Sequence, residues 1–214
     1  MKYKVSEIFY SIQGEGLNQG LPFIFIRFSN CNLRCVWCDT KYAWESGKEM
    51  ELEEIIEEVK KFKCKNICIT GGEPYLQNLF PIFERLKKEK LFISVETNGT
   101  IWQDIKFNWI TVSPKKEGIK YHKKGYDVRF RKVASEFKYV ITGEDDFEFI
   151  DNEIEKPIIL QPVDNNFEIS RLIIDYIKDN PNRNYRINLQ LHKILNIPYP
   201  AQTRFGEPNR VCIT

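Results

Sequence analysis

The chain reads as an α/β protein, a shortened and open (partial) β/α barrel, and three features of the sequence predict it. Apolar strand-like runs alternate with amphipathic helical stretches, the order that gives a mainly parallel sheet covered by helices. About three substantial helices can be read, too few for a complete eight-unit barrel of roughly 250 residues. Polar, chemistry-bearing residues recur just after the strands, at the carboxyl rim where parallel α/β folds place their sites.

The elements follow in order. Residues 23–28 (FIFIRF) form a strand that ends just before a cysteine-rich loop. Leu52, Ile55, Ile56, Val59 and Phe62 recur at helical spacing among Glu and Lys, which marks a surface helix with one buried stripe. Residues 67–70 are the next strand. Leu79, Phe83 and Leu86 mark a second helix, with Pro81 tolerable near its first turn. Residues 92–95, 109–112, 139–141 and 158–160 continue the strands, 167–177 is a third helix and 185–191 a last strand. No repeat, low-complexity tract or linker interrupts this alternation. Residues 1–214 are therefore expected to form one domain, long enough to bury a real core.

Lys and Arg total 32 and Asp and Glu 30, a formal charge of +2, too even to argue for nucleic acid or a membrane surface as partner. No apolar run approaches a membrane span, and the first residues lead into no signal-type stretch. A cytoplasmic protein is expected, in a compartment that keeps thiols reduced and available to metals.

Cys31, Cys35 and Cys38 stand in a C-x3-C-x2-C run. An iron–sulfur cube normally takes four thiolates, so three leave one iron open to another ligand. A structural zinc is the rival, but it wants a closed set of four Cys or His, and the two histidines, His122 and His192, are remote in sequence. Cys64, Cys68 and Cys212 read as small hydrophobes, Cys68 inside the run Ile67-Cys68-Ile69. Thr70-Gly71-Gly72-Glu73-Pro74 follows the next strand. Its glycines would let a ligand approach the backbone, and Glu73 offers a carboxylate to a cationic amino group. Alone, this segment reads equally as a glycine turn with a surface acid.

Together, C-x3-C-x2-C and, one β-α unit later, Gly-Gly-Glu-Pro resemble the radical S-adenosylmethionine superfamily, whose members are built on partial barrels. In that superfamily the open iron of a [4Fe-4S] cluster chelates S-adenosylmethionine, and an electron from the cluster cleaves it to methionine and a 5′-deoxyadenosyl radical. The resemblance implies that Gly72 and Glu73 grip the cofactor, that Glu96 and Asn98 face its ribose, and that Trp37 lies beside the adenine.

The stretch Ser11-Ile12-Gln13-Gly14-Glu15-Gly16, Arg27, Cys38-Asp39-Thr40, Ser113-Pro114-Lys115, Gln161-Pro162-Val163-Asp164 and Gln190-Leu191-His192-Lys193 narrow the match. They resemble the 7-carboxy-7-deazaguanine synthase family over nearly the whole chain. That resemblance implies that Ile12, Gln13 and Gly14 line the substrate site with Glu15 close by. Thr70 would face the substrate, and Arg27 would pair with the substrate carboxylate, a task suited to its planar fork. Asp39, Ser113, Pro114, Lys115, Gln161, Pro162, Val163 and Asp164 would contact the cofactor. Thr40 would ligate Mg2+, and the terminal Thr214 would reach the substrate pocket. The implied reaction converts 6-carboxy-5,6,7,8-tetrahydropterin to 7-carboxy-7-deazaguanine with loss of ammonia. The implied partners are a flavodoxin- or ferredoxin-type electron donor and a second copy in a homodimer, with no membrane and no nucleic acid.

Two rivals frame the reading. A radical-generating activase would share the cysteine loop and the Gly-Gly-Glu motif, but Gln13–Glu15 and Arg27 suit a small anionic heterocycle. An RNA-binding protein with an iron–sulfur staple would use the basic and aromatic stretch 120–132, for which a solvated loop is the simpler account.

Overall fold

A computed structural model of the chain describes residues 1–45 and 47–197. Cys212 and Thr214 lie outside the described residues. The elements are β1 (Lys2–Ile12), β2 (Pro22–Phe28), β3 (Lys48–Glu51), α1 (Leu52–Lys60), β4 (Asn66–Gly71), α2 (Phe80–Lys88), β5 (Phe92–Thr97) and β6 (Trp109–Val112). They continue with α3 (Phe130–Val133), β7 (Glu136–Ile141), β8 (Ile158–Pro162), α4 (Phe167–Asp179), β9 (Tyr185–Ile187) and α5 (Leu191–Ile194). The strands form one sheet in the order β3-β1-β2-β4-β5-β6-β7-β8-β9, antiparallel among β3, β1 and β2 and parallel from β2 to β9. This is the open, mainly parallel sheet of a partial barrel. Among the described residues no helix is long and apolar enough to cross a membrane.

Strand β3 and the short helix α3 were not foreseen, and three further departures bear on the site. Strand β1 was not foreseen, because its apolar positions switch faces midway. A bulge between Val5 and Glu7 re-aims the strand, as an extra residue does in a ladder. Before it, Tyr3 and Val5 pack into the main core under the helices; after it, Phe9 joins Phe25 on the opposite face. The strand expected over 185–191 stops at Ile187. Residues 191–194 instead turn into α5, where the Leu191 N–H donates to the Gly14 carbonyl oxygen at 3.0 Å. Strand β7 begins three residues earlier than expected, at Glu136, which adds Lys138 to the inner face.

Side chains alternate along each strand, and that alternation separates core from site. On β2, Ile24, Ile26 and Phe28 are buried against the helices with Ile55, Ile56, Leu79 and Ile82. Phe23 and Phe25 point to the other face, where Phe9 and Phe25 stack with ring centroids 4.8 Å apart. Burying such rings contributes on the order of 1.5–3 kcal/mol each. Above this small apolar floor, the inner positions nearest the carboxyl rim turn polar: Arg27, Thr70, Glu96, Lys138 and Gln161. Helix α1 is closed by a capping box in which the Glu51 N–H donates to Glu54 at 2.6 Å, and Asn166 caps α4 by accepting from the Ile169 N–H.

Candidate active site

The β2 strand delivers the cysteines into a loop that turns twice through left-handed backbone, at Asn30 (φ 77°) and Arg34 (φ 58°). The Cys38 N–H donates to the Cys35 carbonyl oxygen at 3.1 Å, closing the loop's last turn. The Gly71–Gly72 pair lies directly against this loop. A Cβ on Gly72 would stand 2.1 Å from the Asn30 carbonyl oxygen and 3.0 Å from the Cys31 Cβ. The glycines therefore let the β4 rim pack on the cysteine loop, and the Glu73 N–H donates to Asn30 at 2.7 Å.

Glu73 itself turns inward. It is fully buried, and its carboxylate accepts from the Tyr75 N–H at 2.9 Å, the Thr97 hydroxyl at 2.7 Å and the Asn98 N–H at 2.6 Å. Burial pushes its carboxyl up to about 7 against those donors. Its carboxylate braces the site, tying the glycine loop to the end of β5. Asn98 likewise donates from Nδ2 to Asn32 at 3.0 Å while its Oδ1 accepts from Thr100, so its amide braces the cysteine loop.

A cavity of about 250 Å³ opens at the carboxyl rim beside the cysteine loop. It brings together, from the sequence expectations, Ile12, Gln13, Gly14, Glu15, Arg27, Trp37, Cys38, Asp39, Thr40, Thr70, Gly72, Glu96, Asn98, Ser113, Lys115, Gln161, Val163 and Asp164. Cys31, Cys35, Glu73, Pro114 and Pro162 lie outside its lining. The sequence reading missed Lys138, Phe9 and Phe25, and it gave Gln190, His192 and Lys193 no role.

The two stretches singled out near the chain's ends meet at this mouth. Gly14 needs no side chain because a Cβ there would stand 2.3 Å from His192 Nδ1. Gln190 Nε2 donates to Glu15 at 2.8 Å and to Asp39 at 3.0 Å. Lys138 Nζ donates to the other Glu15 oxygen. Burial alone would raise the Glu15 carboxyl, but Lys138 and Gln190 bring it down to about 2, so it is an anion. On the floor, Gln13 Nε2 donates to Glu96 at 2.8 Å and the Thr70 hydroxyl to the same carboxylate at 3.2 Å. Arg27 sits opposite Glu7 in register, and its Nε donates to that carboxylate at 2.6 Å, with the Tyr42 hydroxyl donating to the same oxygen at 2.6 Å. Among the described residues Nη1 and Nη2 of Arg27 have no protein acceptor, and Arg27 lines the cavity.

The residues fit a cluster and a nucleoside-type cofactor. Among the described residues, the one set of His, Cys, Asp or Glu ligand atoms converging within 4.8 Å is Glu15, Asp39 and His192. The three cysteine sulfurs are not such a set. Three thiolates on one loop fall one short of the closed set a structural zinc wants, and suit a polynuclear centre with one open position. Burial pushes Cys35 up to about 12 and Cys31 upward as well, so metal loading must displace protons from thiols. Gln161 is buried in the lining, and its Oε1 has no partner among the described residues, an acceptor left for a ligand donor. Trp37 shares the wall with Lys115, whose ammonium stands 5.1 Å from the ring centroid and contacts the Ser113 hydroxyl. Burial and the nearby Lys138 lower Lys115 to about 8.

A partial β/α barrel with three cysteines after an early strand, a glycine pair packed on them and a cavity at the same rim defines a radical S-adenosylmethionine enzyme. Residues 25–115 match the radical SAM superfamily. The chain is 35% identical to the 7-carboxy-7-deazaguanine synthase of Buchnera aphidicola and 38% identical to that of Bacteroides thetaiotaomicron, in both cases over 92% of this chain and 100% of the relative. It is 33% identical to the synthase of Escherichia coli K12 over the same shares. The crystal structure of QueE from Escherichia coli superposes with a TM-score of 0.76 at 27% identity, covering 90% of this chain and 95% of that one. The chain belongs to the 7-carboxy-7-deazaguanine synthase family.

Proposed function

We propose that this chain, acting as one domain, converts 6-carboxy-5,6,7,8-tetrahydropterin to 7-carboxy-7-deazaguanine with loss of ammonia, in 7-deazapurine biosynthesis. The observation that carries the reading is the juxtaposition of a buried arginine fork at Arg27 with the cysteine loop across one cavity. Cys31, Cys35 and Cys38 would hold a [4Fe-4S] cluster. Trp37, Gly72, Ser113, Lys115 and the Gln161–Asp164 stretch would hold S-adenosylmethionine, with the Gln161 carbonyl oxygen as an acceptor. When bound, these groups supply reversible hydrogen-atom abstraction, and Mg2+ at Thr40 supplies Lewis-acid charge stabilisation.

The chain's own residues bind, orient and exclude water. Arg27, held by Glu7 through Nε, offers its two terminal nitrogens to the substrate carboxylate. Lys138 keeps Glu15 anionic as a fixed acceptor for the substrate's ring N–H groups, and the Phe9–Phe25 floor keeps the lower wall apolar. Thr70 and Gln13 present Glu96 in a single orientation. We further propose that the enzyme works in the cytoplasm as a homodimer and takes its electron from a flavodoxin- or ferredoxin-type protein.

Anaerobic incubation with S-adenosylmethionine, a reductant and the carboxypterin, followed by ultraviolet and mass detection, tests the reading. The expected product is 7-carboxy-7-deazaguanine with S-adenosylmethionine regenerated. Cleavage of S-adenosylmethionine with the carboxypterin untouched would favour the activase reading.

A further inference from the structure

The bulge in β1 turns an acid onto the cavity face. Val5 pairs with Phe28 and Glu7 with Arg27, so residues two apart on β1 stand opposite adjacent residues on β2. Adjacent residues of a strand point to opposite faces. Phe28 is buried in the core and Arg27 lines the cavity. In a regular ladder Glu7 would share the core face with Tyr3 and Val5. The extra residue brings it instead to the cavity face, beside Arg27.

There Glu7 is buried, and a single oxygen, Oε1, accepts from two elements at once: from Arg27 Nε at 2.6 Å and from the Tyr42 hydroxyl at 2.6 Å. Tyr42 belongs to the one-turn segment Lys41–Trp44, which begins directly after Thr40. The Ala43 N–H donates to the Thr40 carbonyl oxygen at 2.9 Å, and the Asn30 N–H donates to the Ala43 carbonyl oxygen at 2.9 Å. That segment therefore closes the cysteine loop back onto its own start. The Arg27 guanidinium carbon also stands 5.7 Å from the centroid of the Phe9 ring. Ordering a long side chain costs rotamer entropy, and a guanidinium held through Nε has lost that freedom before a ligand arrives.

We propose that Glu7 is a positioning residue for carboxylate recognition: it aims the Arg27 fork into the cavity and, through Tyr42, fixes that fork relative to the turn that carries Thr40. The proposal rests on the reading of Arg27 as the residue that takes the substrate carboxylate. Glu7 occupies Nε and leaves the two terminal nitrogens, the planar pair that meets a carboxylate with two bonds. Its length decides the aim, because one oxygen must reach both Arg27 and Tyr42 from β1. The competing role is charge balance alone, in which Glu7 does no more than neutralise a buried cation. The two roles make opposite demands on the side chain: positioning needs reach and an acceptor oxygen, whereas neutralisation needs the negative charge.

The test measures equilibrium binding of two probes to iron-loaded protein with S-adenosylmethionine present: 6-carboxy-5,6,7,8-tetrahydropterin and 5,6,7,8-tetrahydropterin, which lacks the carboxylate. Glu7→Asp keeps the charge but withdraws it, and Glu7→Gln keeps the reach and an acceptor oxygen without the charge. Glu7→Asp should weaken carboxypterin binding about tenfold or more, Tyr42→Phe about fivefold, and Glu7→Gln no more than about threefold. Binding of the carboxylate-free pterin should stay within about twofold in all three, and Glu7→Asp should add nothing in an Arg27→Ala background. The reverse order, with Asp tolerated and Gln not, would assign Glu7 to charge balance and overturn the proposal. So would equal losses for both pterins, a Glu7→Asp loss that persists without Arg27, or no loss in Glu7→Asp. Unchanged binding in Tyr42→Phe would overturn the tie to the Thr40 turn. A parent protein that binds both pterins equally would instead refute the underlying reading of Arg27.

Discussion

Lys138 and Glu15 form an ion pair inside the cavity wall, joining β7 to the turn after β1 across 123 residues of sequence. Both side chains are nearly buried, so each depends on the other for its charge. Lys138→Met should strand an anion and cost about 3–5 kcal/mol, whereas Lys138→Met with Glu15→Gln should recover much of that loss. Urea midpoints of the two variants check this.

The same pair sets a pH dependence. The Glu15 carboxyl is held near 2 in the folded protein, below its ordinary 4.5, so the unfolded chain binds the extra proton between those values. The pair's contribution is fully present above pH 4.5 and is lost as pH falls towards 2. In iron-free protein, Glu15→Gln should therefore flatten the fall of stability across that window, by on the order of 2–3 kcal/mol. An unchanged slope would contradict the assignment.

Replacing any of Cys31, Cys35 or Cys38 with Ala should abolish reductive cleavage of S-adenosylmethionine and lower bound iron. Cys68 is sealed under the cavity floor and Cys64 donates to the Pro22 carbonyl oxygen at 3.4 Å, so Ala at either should keep the iron. Iron and sulfide analysis of protein purified without oxygen reads this directly. Tightly bound zinc without sulfide would contradict it.

Glu73→Ala should destabilise the fold without emptying the cavity of ligand groups. It leaves the buried Tyr75 and Asn98 N–H groups without acceptors, at about 1–3 kcal/mol each. A thermal midpoint unchanged from the parent would show that the brace is not made.

Turnover should rise with Mg2+, and Thr40→Ala should lower it while leaving the iron–sulfur absorption intact. Thr40 lines the cavity with its hydroxyl 3.5 Å from Cys38 Sγ, next to Asp39, whose carboxylate converges with Glu15 and His192. Turnover insensitive to both exhaustive chelation and the substitution would remove Mg2+ from the account.

The sequence made the rim legible because strand ends and polar clusters coincide there. Arg27, Thr70, Glu96 and Gln161 each follow an apolar alternation that can be counted without coordinates. Strand β1 hid behind its bulge, since Tyr3 and Val5 serve one face and Phe9 the other. Lys138 hid because the expected strand began at Tyr139, one residue after it; the signal was its period of two with Glu136 and Val140 along β7. The glycine pair was read as a ligand cradle and lines the cavity; what could not be read is the packing of Gly72 on Asn30 and Cys31, a contact distant in sequence.

The central claim is that one cavity holds a carboxylate substrate on Arg27 beside the metal loop. Equilibrium binding of 6-carboxy-5,6,7,8-tetrahydropterin to the iron-loaded protein with S-adenosylmethionine present tests it most directly. Arg27→Ala removes one partner of a buried charge pair, a loss of about 3–5 kcal/mol, so affinity should fall about a hundredfold or more. Arg27→Lys should restore only part of it, because a point charge lacks the fork. Uncoupled cleavage of S-adenosylmethionine should persist in both variants. Equal affinity of the parent and Arg27→Ala for the carboxypterin, or no binding by the parent, would contradict the account.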